Sequence, residues 1–352
     1  MEHTNNSVNI IYLNTAEKGP SGGGKTIYYH SNLINNLKIS NISSEILHIK
    51  KKKSRKWNSS IKKIFNISQE KYSGWDVKDI NVHKNFKSKW FKSNIKIKND
   101  LIFDKKKDFV IFPEIFAHFA EKLCIQNKIP YAVFVQNGYC LNPTNNFKQL
   151  EKVYKNAKFI LSYSKDITNC INLAFPLQSK KILKTNISID KKKFNSIQKK
   201  TNLITYMPRK LPSHSGNLTF FLRNKLPKSW KFKSLHNIKE KDVYKYLSKS
   251  KIFLSFSDME GLGIPPIEAA IAGNKVIGYT GRGGNEYWNN PIFTEVKHGD
   301  ISKFIKEILR NIKEKDLFNK LSNSRRKIVN KFSPNQEKKQ IIKMISKIKS
   351  FI

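Results

Sequence analysis

Residues 255–279 read SFSDMEGLGIPPIEAAIAGNKVIGY, and this stretch decides how the second half of the chain is interpreted. It begins as an apolar strand and continues into a polar loop, where Gly261 and Gly263 lack a Cβ atom and permit close approach to the backbone. Pro265 and Pro266 favour a helix start, since the first turn does not need the missing N–H. The unpaired N–H groups of such a helix start would bind an anion such as a diphosphate. The stretch therefore predicts a strand–loop–helix unit that binds a ligand at its loop.

Two glutamates in this stretch have the spacing E-x7-E. Glu260 lies in the loop, and Glu268 is expected in the first turn of the helix, pointing back towards the same crevice. The carboxylate of Glu268 can accept two hydroxyl hydrogen bonds, which suits a ribose diol. The sequence EGLGIPPIEAAIAGNKVI resembles the nucleotide-sugar signature of retaining GT-B glycosyltransferases. This resemblance implies that Glu268 binds the ribose, that Glu260 contacts the donor sugar at the catalytic centre, and that Gly261, Leu262 and Gly263 lie against the donor.

Short apolar segments alternate with helical patterns along the rest of the chain, which favours parallel sheets covered on both faces. Strands are predicted at residues 7–13, 108–112, 131–135, 158–163, 202–206, 251–256 and 275–279. Helices are predicted at residues 25–37, 113–127, 241–250, 266–272, 301–312 and 334–348. The fold class is therefore α/β, and the GT-B resemblance implies two Rossmann-like domains facing a central cleft.

The predicted domain division follows from the same patterns. Residues 1–195 form an N-terminal acceptor domain, residues 196–333 form a donor domain, and residues 334–352 form a helix that returns to the first domain, as the resemblance implies. Residues 48–100, rich in lysine, serine and asparagine, permit no firm assignment.

A basic pair, Arg209 and Lys210, ends the segment YMPRK after the first predicted strand of the second half. The resemblance places a basic pair on the donor diphosphate at this point, where it would stabilise the leaving group by charge-assisted hydrogen bonds. The sequence departs from the more usual Arg-x4-Lys spacing of that family. Two exposed basic residues in a lysine-rich chain are the alternative interpretation.

A glycine-rich segment at residues 19–26, GPSGGGKT, satisfies the P-loop pattern G-x-x-x-x-G-K-[ST]. Taken alone, it predicts an ATP- or GTP-binding site. Two features oppose this: residues 15–18 separate the strand from the first glycine, and no later strand ends in a clear Walker B aspartate. GT-B proteins also carry a glycine-rich first loop, and by that resemblance Gly22, Gly23 and Gly24 would lie near the acceptor and the transferred sugar.

Three further candidates follow predicted strands of the first half. Glu114 and His118, four residues apart, would share a helix face, with His118 as a candidate catalytic residue. Asn137 follows the strand at 131–135, and the loop at 281–286 occupies the same position after a strand of the second half. Ordinary capped turns explain these residues equally well. The sequence contains no Asp-x-Asp motif, no paired histidine ligands and no serine nucleophile elbow, which favours a metal-independent reaction and no cofactor beyond the nucleotide diphosphate sugar substrate.

The chain has 352 residues and a net charge of +41, from 67 basic and 26 acidic residues. Nucleic acid is the less favoured partner, because only seven of the basic residues are arginine, the usual residue for bidentate phosphate and base contacts. A lysine-rich surface suits an anionic membrane, although compositional bias explains it equally well. The first residues do not form a basic leader followed by an apolar core, and the three cysteines are most simply reduced thiols, so we expect a cytoplasmic protein. The basic surface favours a peripheral position at the inner face of the membrane. We expect the acceptor to be a glycan or a lipid-linked intermediate of surface polysaccharide synthesis.

Overall fold

The computed structural model describes residues 7–17, 19, 21–50, 80–91, 95–194, 199–314 and 317–352. The chain divides into two compact units. The first comprises Met1–Ser162, Thr168–Thr185 and Lys338–Ile352, and the second comprises Tyr163–Ile167 and Asn186–Glu337. Each unit is built around its own parallel sheet, as the apolar runs predicted.

The sheet of the first unit has seven parallel strands in the order β3-β2-β1-β4-β5-β6-β7. These strands are β1 Val8–Thr15, β2 Ile42–Ile49, β3 Ile97–Lys98, β4 Asp108–Pro113, β5 Tyr131–Val135, β6 Ile160–Ser162 and β7 Ile182–Lys184. The central strands β1, β4 and β5 are almost wholly buried, which is why they are continuous apolar runs rather than alternating ones.

Helices of the first unit connect these strands. They are α1 Gly22–Asn36, α2 Phe147–Asn156 and α3 Lys165–Ala174, whose first residues belong to the second unit. A 3₁₀ helix at Glu114–Phe119 and a π-helical turn at Glu121–Ile125 replace the single helix predicted at 113–127. Part of the unassigned segment 48–100, residues 51–79 and 92–94, lies outside the described residues.

The sheet of the second unit has five parallel strands in the order β12-β11-β10-β8-β9. The strands are β8 Thr201–Tyr206, β9 Lys231–Ser234, β10 Ser250–Glu260, β11 Lys275–Arg282 and β12 Phe293–Glu295. Its helices are α4 Pro212–Leu222, α5 Glu240–Lys249, α6 Ile264–Ile271, α7 Ile301–Ile312 and α8 Leu317–Lys331. Leu218, Phe304 and Ile308 pack with β10 and β11 in the core between the sheet and the helices α4 and α7.

The last helix, α9 Pro334–Lys349, contributes most of its length to the first unit. The Tyr12 hydroxyl lies 3.8 Å from the Met344 sulfur, and Ile341, Met344 and Ile348 are buried. The helix predicted at residues 334–348 is therefore present, and Ile345 is buried on the same apolar stripe. Within the described residues, no helix combines the length and the apolar character needed to cross a bilayer.

Candidate functional site

The loop between β10 and α6 has the strand–loop–helix form that the sequence predicted. Gly263 precedes the helix with φ 76°, in the left-handed region that favours glycine. The helix begins at Ile264, two residues earlier than predicted. Glu268 therefore lies in its second turn, not in the first, and its side chain is half-buried. Pro265 still falls within the first turn, where the absent N–H costs nothing.

Lys210 and Glu260 come together beside this loop. The Lys210 Nζ lies 3.4 Å from the Glu260 Oε1, and the two side chains are 34% and 27% exposed. Lys210 follows β8 and Glu260 ends β10, and these strands are neighbours in the sheet. Arg209 is exposed in the same turn as Lys210. The basic pair and the first glutamate of the E-x7-E motif therefore lie at the carboxyl ends of adjacent parallel strands.

The loop after β11 packs directly on the β10–α6 loop. A Cβ atom at Gly283 would stand 2.4 Å from the carbonyl carbon of Gly261, so only glycine permits this approach. Arg282 is in register with Glu260 at the ends of the two strands. The Glu286 side chain, at the end of the loop, bonds to other residues of the protein. One carboxylate oxygen accepts a hydrogen bond from the backbone N–H of Lys165 at 2.7 Å. Its other oxygen is 3.2 Å from the Lys331 Nζ.

Tyr287 supports the β10–α6 loop by hydrogen bonds to its backbone, and the sequence analysis did not predict this role. Its hydroxyl lies 2.9 Å from the Leu262 carbonyl oxygen and 2.8 Å from that of Gly263. The side chain is 1% exposed, and burial raises the pKa of its phenol far above the usual range. The signal in the sequence is an aromatic residue directly after the glycine-rich loop at 281–286.

A second group that the sequence analysis missed lies at the same edge of this sheet. The His214 Nδ1 is 3.2 Å from the Tyr279 hydroxyl, and the rings of His214 and His298 have centroids 5.0 Å apart. The His298 Nδ1 lies 3.9 Å from the Asp258 Oδ1. No local spacing could reveal this cluster, because its members come from four separate segments.

Glu114, at the end of β4 in the first unit, binds the loop that follows β5. Its carboxylate accepts the backbone N–H groups of Gln136 and Asn137, each at 3.0 Å. Burial raises the pKa of Glu114 to about 7, although these backbone hydrogen bonds act in the opposite direction. Glu114 and Asn137 are therefore in direct contact, and the carboxyl group fixes the loop.

The same loop reaches the glycine-rich segment. The Gln136 Nε2 donates to the Gly23 carbonyl at 3.0 Å, and a Cβ atom at Gly23 would stand 2.3 Å from the Gln136 Oε1. A side chain at position 23 would displace the Gln136 amide from this contact. The structure therefore brings Gly23, Glu114 and Asn137 together at the carboxyl ends of β1, β4 and β5.

The three glycines at 22–24 are the first residues of α1 and not a loop before it. Ser21 caps the helix, and its Oγ accepts the Gly24 N–H at 3.2 Å. The Lys25 N–H is bonded to the Ser21 carbonyl at 2.9 Å, and the Thr26 hydroxyl to the Gly22 carbonyl at 3.0 Å. A P-loop needs these groups for phosphate and metal, so their internal bonds disfavour that interpretation.

His118 lies in the 3₁₀ helix after β4 and is 7% exposed. The expectation that it shares a helix face with Glu114 was wrong. A 3₁₀ helix has three residues per turn, so residues four apart point about 120° away from each other. The His118 ring instead contacts Phe119, with centroids 4.0 Å apart.

Comparisons with known proteins relate part of the sequence to an enzyme family and the whole fold to solved structures. The family described as Glycosyl transferases group 1 matches residues 222–328, which include the E-x7-E loop and Tyr287. No curated protein sequence matches the chain. Many solved structures match as well, and those similar over nearly the whole length include three different proteins. HepE from Anabaena, in complex with UDP, has 10% identity and a TM-score of 0.66, over 96% of this chain and 100% of its own.

The second is sucrose-phosphate synthase from Thermosynechococcus elongatus, with 10% identity and a TM-score of 0.66, over 98% of this chain and 100% of its own. The third is a glycosyltransferase from Rickettsia africae, with 15% identity and a TM-score of 0.61, over 98% and 99%. The chain has the GT-B fold. At 10–15% identity, the similarity to these structures establishes the fold alone. The family match covers the candidate site around Glu260 and Tyr287 in the second unit.

Proposed function

We propose that this protein is a glycosyltransferase that moves a sugar from a nucleoside diphosphate sugar to a hydroxyl acceptor. The observation that carries the proposal is the position of Lys210, 3.4 Å from Glu260, beside the start of α6. A diphosphate bound there would meet the cationic side chains of Arg209 and Lys210 and the N–H of Ile264, the first residue of α6, since Pro265 and Pro266 have no N–H. The match of residues 222–328 to group 1 glycosyltransferases supports the same conclusion.

The donor would lie along the loop ends of the second unit. Arg209, Lys210 and the start of α6 would hold the diphosphate, and Glu268 would accept hydrogen bonds from the ribose hydroxyls. Gly261, Leu262 and Gly263 would contact the sugar through their backbone, which Tyr287 holds in place. Glu260 would orient the sugar. These roles correspond to a donor domain at residues 196–333.

The first unit would serve the acceptor and the transferred sugar, with residues 1–195 and 334–352 as its proposed extent. Gly22, Gly23, Gly24 and Asn137 would line that part of the site, positioned by Glu114 and Gln136. His118 would contribute to the catalytic centre. We infer that the acceptor is a glycan or a lipid-linked glycan intermediate.

The proposed reaction retains the configuration at the anomeric carbon and needs no metal ion. The bond between the anomeric carbon and the phosphate oxygen breaks as the acceptor oxygen attacks from the same face. The acceptor proton passes to a phosphate oxygen, and the nucleoside diphosphate leaves with its charge stabilised by Arg209 and Lys210. This route requires no side-chain base.

A thermal-shift screen of the full chain tests the proposal, because a ligand that binds the folded state raises its melting temperature. UDP is the first nucleotide to test, since HepE binds it, followed by GDP, ADP, CMP and the corresponding sugars. A selective shift with one nucleoside diphosphate, unchanged by EDTA and retained in Lys25→Ala, is expected. Binding of ATP with Mg²⁺ that is lost in Lys25→Ala would establish P-loop chemistry instead. Salt-sensitive retention on nucleic acid without any nucleotide shift would favour a nucleic-acid-binding protein.

A product assay then tests the stereochemistry. With a sugar donor identified in the screen, NMR of the product reports the anomeric configuration of the new glycosidic bond, which does not mutarotate. The same configuration in donor and product is expected, and inversion would exclude the retaining mechanism.

A further inference from the structure

An apolar turn lies on the surface of the first unit between α3 and β7. Residues 173–177, the sequence LAFPL, form this turn. The side chains of Leu173 and Leu177 are each 85% exposed, and Ala174 and Pro176 are exposed as well. Single exposed apolar residues are ordinary on protein surfaces, but four in five consecutive positions form a local apolar surface.

The middle residue of the turn anchors it. The Phe175 ring points inward and stacks on the Tyr154 ring, with centroids 4.0 Å apart and planes at 15°. The Phe175 N–H donates to the Ile171 carbonyl at 2.7 Å, and the Gln178 N–H to the Phe175 carbonyl at 2.9 Å. The turn is therefore held in one shape, in which the two leucines on either side of Phe175 project into solvent.

A lysine cluster lies next to the turn. Lys181 is the last residue of the 3₁₀ helix Pro176–Lys181, which begins within the turn, and its Nζ donates to the backbone carbonyl of Lys155. Burial, together with the nearby charges of Lys158 and Lys155, lowers the pKa of Lys181. Residues 152–189 contain seven lysines and one acidic residue, Asp166, which lies in the first turn of α3, away from Leu173. Lys152 pairs with Glu121 at 2.8 Å, and Glu151 lies one helical turn before Lys155. Among the described residues, Lys155, Lys158 and Lys181 have no carboxylate oxygen within 4.0 Å of the Nζ.

We propose that the apolar turn and the lysine cluster dock this protein on the surface of a bilayer that contains anionic lipids. Leu173 and Leu177 enter the boundary between headgroups and acyl chains, and Lys155, Lys158 and Lys181 contact the anionic headgroups. This docking is peripheral and reversible. It does not depend on the proposed glycosyl transfer.

Charge and shape together favour a lipid surface over other occupants. A second copy of the chain packed through the same patch would bring Lys155, Lys158 and Lys181 of one copy against the same three lysines of the other. A nucleic acid would satisfy the lysines but would leave the exposed leucines against a polar phosphate backbone. An anionic bilayer satisfies both parts, since its headgroups are negative and its interior is apolar.

Co-sedimentation with vesicles tests the proposal on the full chain. Vesicles of equal parts phosphatidylcholine and phosphatidylglycerol are compared with pure phosphatidylcholine at low salt. Leu173→Ser/Leu177→Ser should lower the partition coefficient on anionic vesicles about tenfold or more, by removing buried apolar area. Lys155→Gln/Lys158→Gln/Lys181→Gln should lower it by roughly a hundredfold, at roughly fivefold per lysine. Leu173, Leu177, Lys155 and Lys158 are exposed, so their replacement should change thermal melting little. Lys181 is half-buried, so the melting temperature of the lysine variant is measured alongside its binding.

Matched controls separate this patch from the overall charge. Phe220→Ser/Phe221→Ser removes two exposed apolar side chains elsewhere, and Lys105→Gln/Lys106→Gln/Lys107→Gln removes three exposed lysines elsewhere in the same unit. Both controls should bind anionic vesicles nearly as the wild type does. The proposal is overturned if the lysine control loses as much binding as the cluster variant, or if the leucine variant binds like the wild type.

Other outcomes identify another occupant and also overturn the proposal. One is a wild-type protein that stays in the supernatant with anionic vesicles. Another is a dimer in sedimentation velocity that the leucine variant dissociates, which would make the turn an interface between copies. A third is retention on DNA or RNA that falls with the lysine variant while vesicle binding does not.

Discussion

Lys210 and Glu260 form a half-exposed ion pair across neighbouring strands, with 3.4 Å between the Nζ and the Oε1. Such pairs contribute little to folding, about 0–1 kcal/mol, because water screens both partners. The ammonium can therefore leave the carboxylate at small cost and bind a more highly charged partner. A diphosphate at the start of α6 would be such a partner, and Glu260 would then face the attached sugar.

The first prediction follows from this pair. Lys210→Met keeps the apolar stem and removes the charge, so the melting temperature should change little. Affinity for the nucleoside diphosphate should fall by about 1.5–3 kcal/mol, the usual contribution of a charged hydrogen bond. Isothermal titration calorimetry measures the loss. Lys225→Met, an exposed lysine of the same unit, should bind like the wild type. Equal affinity in both variants would remove Lys210 from the diphosphate site.

The second prediction concerns Glu268, which is half-buried in the second turn of α6. Glu268→Ala should weaken donor binding by about 1–3 kcal/mol, because hydrogen bonds to the ribose are lost. The loss should be specific to the diol: the wild type should prefer ribose over 2′-deoxyribose nucleotides, and the variant should not. Glu151→Gln, on the exposed side of α2, is the control. A variant that keeps the preference for ribose would exclude this role.

The third prediction concerns the support that Tyr287 gives to the β10–α6 loop. Tyr287→Phe leaves the buried Leu262 and Gly263 carbonyls without their donor, so the free energy of unfolding should fall by about 1–3 kcal/mol. Donor affinity should fall with it, because the loop loses its fixed position. Tyr154→Phe is the matched control, since the Tyr154 hydroxyl is buried without a hydrogen-bond partner among the described residues. Chemical denaturation and calorimetry on both variants measure the two effects.

The sequence predicted the parts of this fold that depend on local patterns. The helix at Ile301–Ile312 has the predicted bounds, because a single apolar stripe and the Asp300 cap define it. The strand β2, ISSEILHI, was missed because its first half mixes polar and apolar residues. The 3₁₀ and π-helical turns after β4 were also missed, since their residues have spacing that resembles an α-helix.

The parts of the candidate site that depend on contacts between distant segments could not be predicted from the sequence. The E-x7-E stretch is local, so the loop and the helix after it could be anticipated from residues 255–279 alone. The contact of Gln136 with Gly23 joins residues 113 positions apart, and the close approach of Gly283 to Gly261 joins two loops. Both depend on strand order in a sheet, which local spacing does not specify.

The fourth prediction separates a structural from a functional role for His118. His118→Asn should lower kcat while the affinity for the nucleoside diphosphate stays unchanged, because the proposed donor residues belong to the second unit. A purely structural role would instead lower the melting temperature, since the ring is buried against Phe119. Phe119→Leu changes the same contact without touching the imidazole and serves as the control. A loss of kcat in both variants that tracks the loss of stability would exclude His118 from the catalytic centre.

The last prediction uses the buried carboxyl of Glu114. Burial raises its pKa from 4.5 to about 7 in the folded state, so folding favours the protonated form. The stability that this group contributes is therefore fully present below pH 4.5 and is lost as the pH rises through about 7. The shift corresponds to about 3 kcal/mol at most. Glu114→Gln cannot titrate, so the free energy of unfolding of the wild type minus that of this variant should decrease as the pH rises across that window.

The control for this measurement is Glu121→Gln, because the hydrogen bonds from Lys152 and Gln149 lower the pKa of Glu121. Its contribution is lost only as the pH falls below 4.5, so the stability difference for this variant should stay flat between pH 4.5 and 7. Denaturation curves in urea at several pH values give both differences, and unrelated titrations cancel in the comparison with the wild type. A flat difference for Glu114→Gln would mean that the carboxyl remains ionised in the folded protein. The two backbone N–H groups of Gln136 and Asn137 would then outweigh burial, and the loop after β5 would be held by a carboxylate at every pH above 4.5.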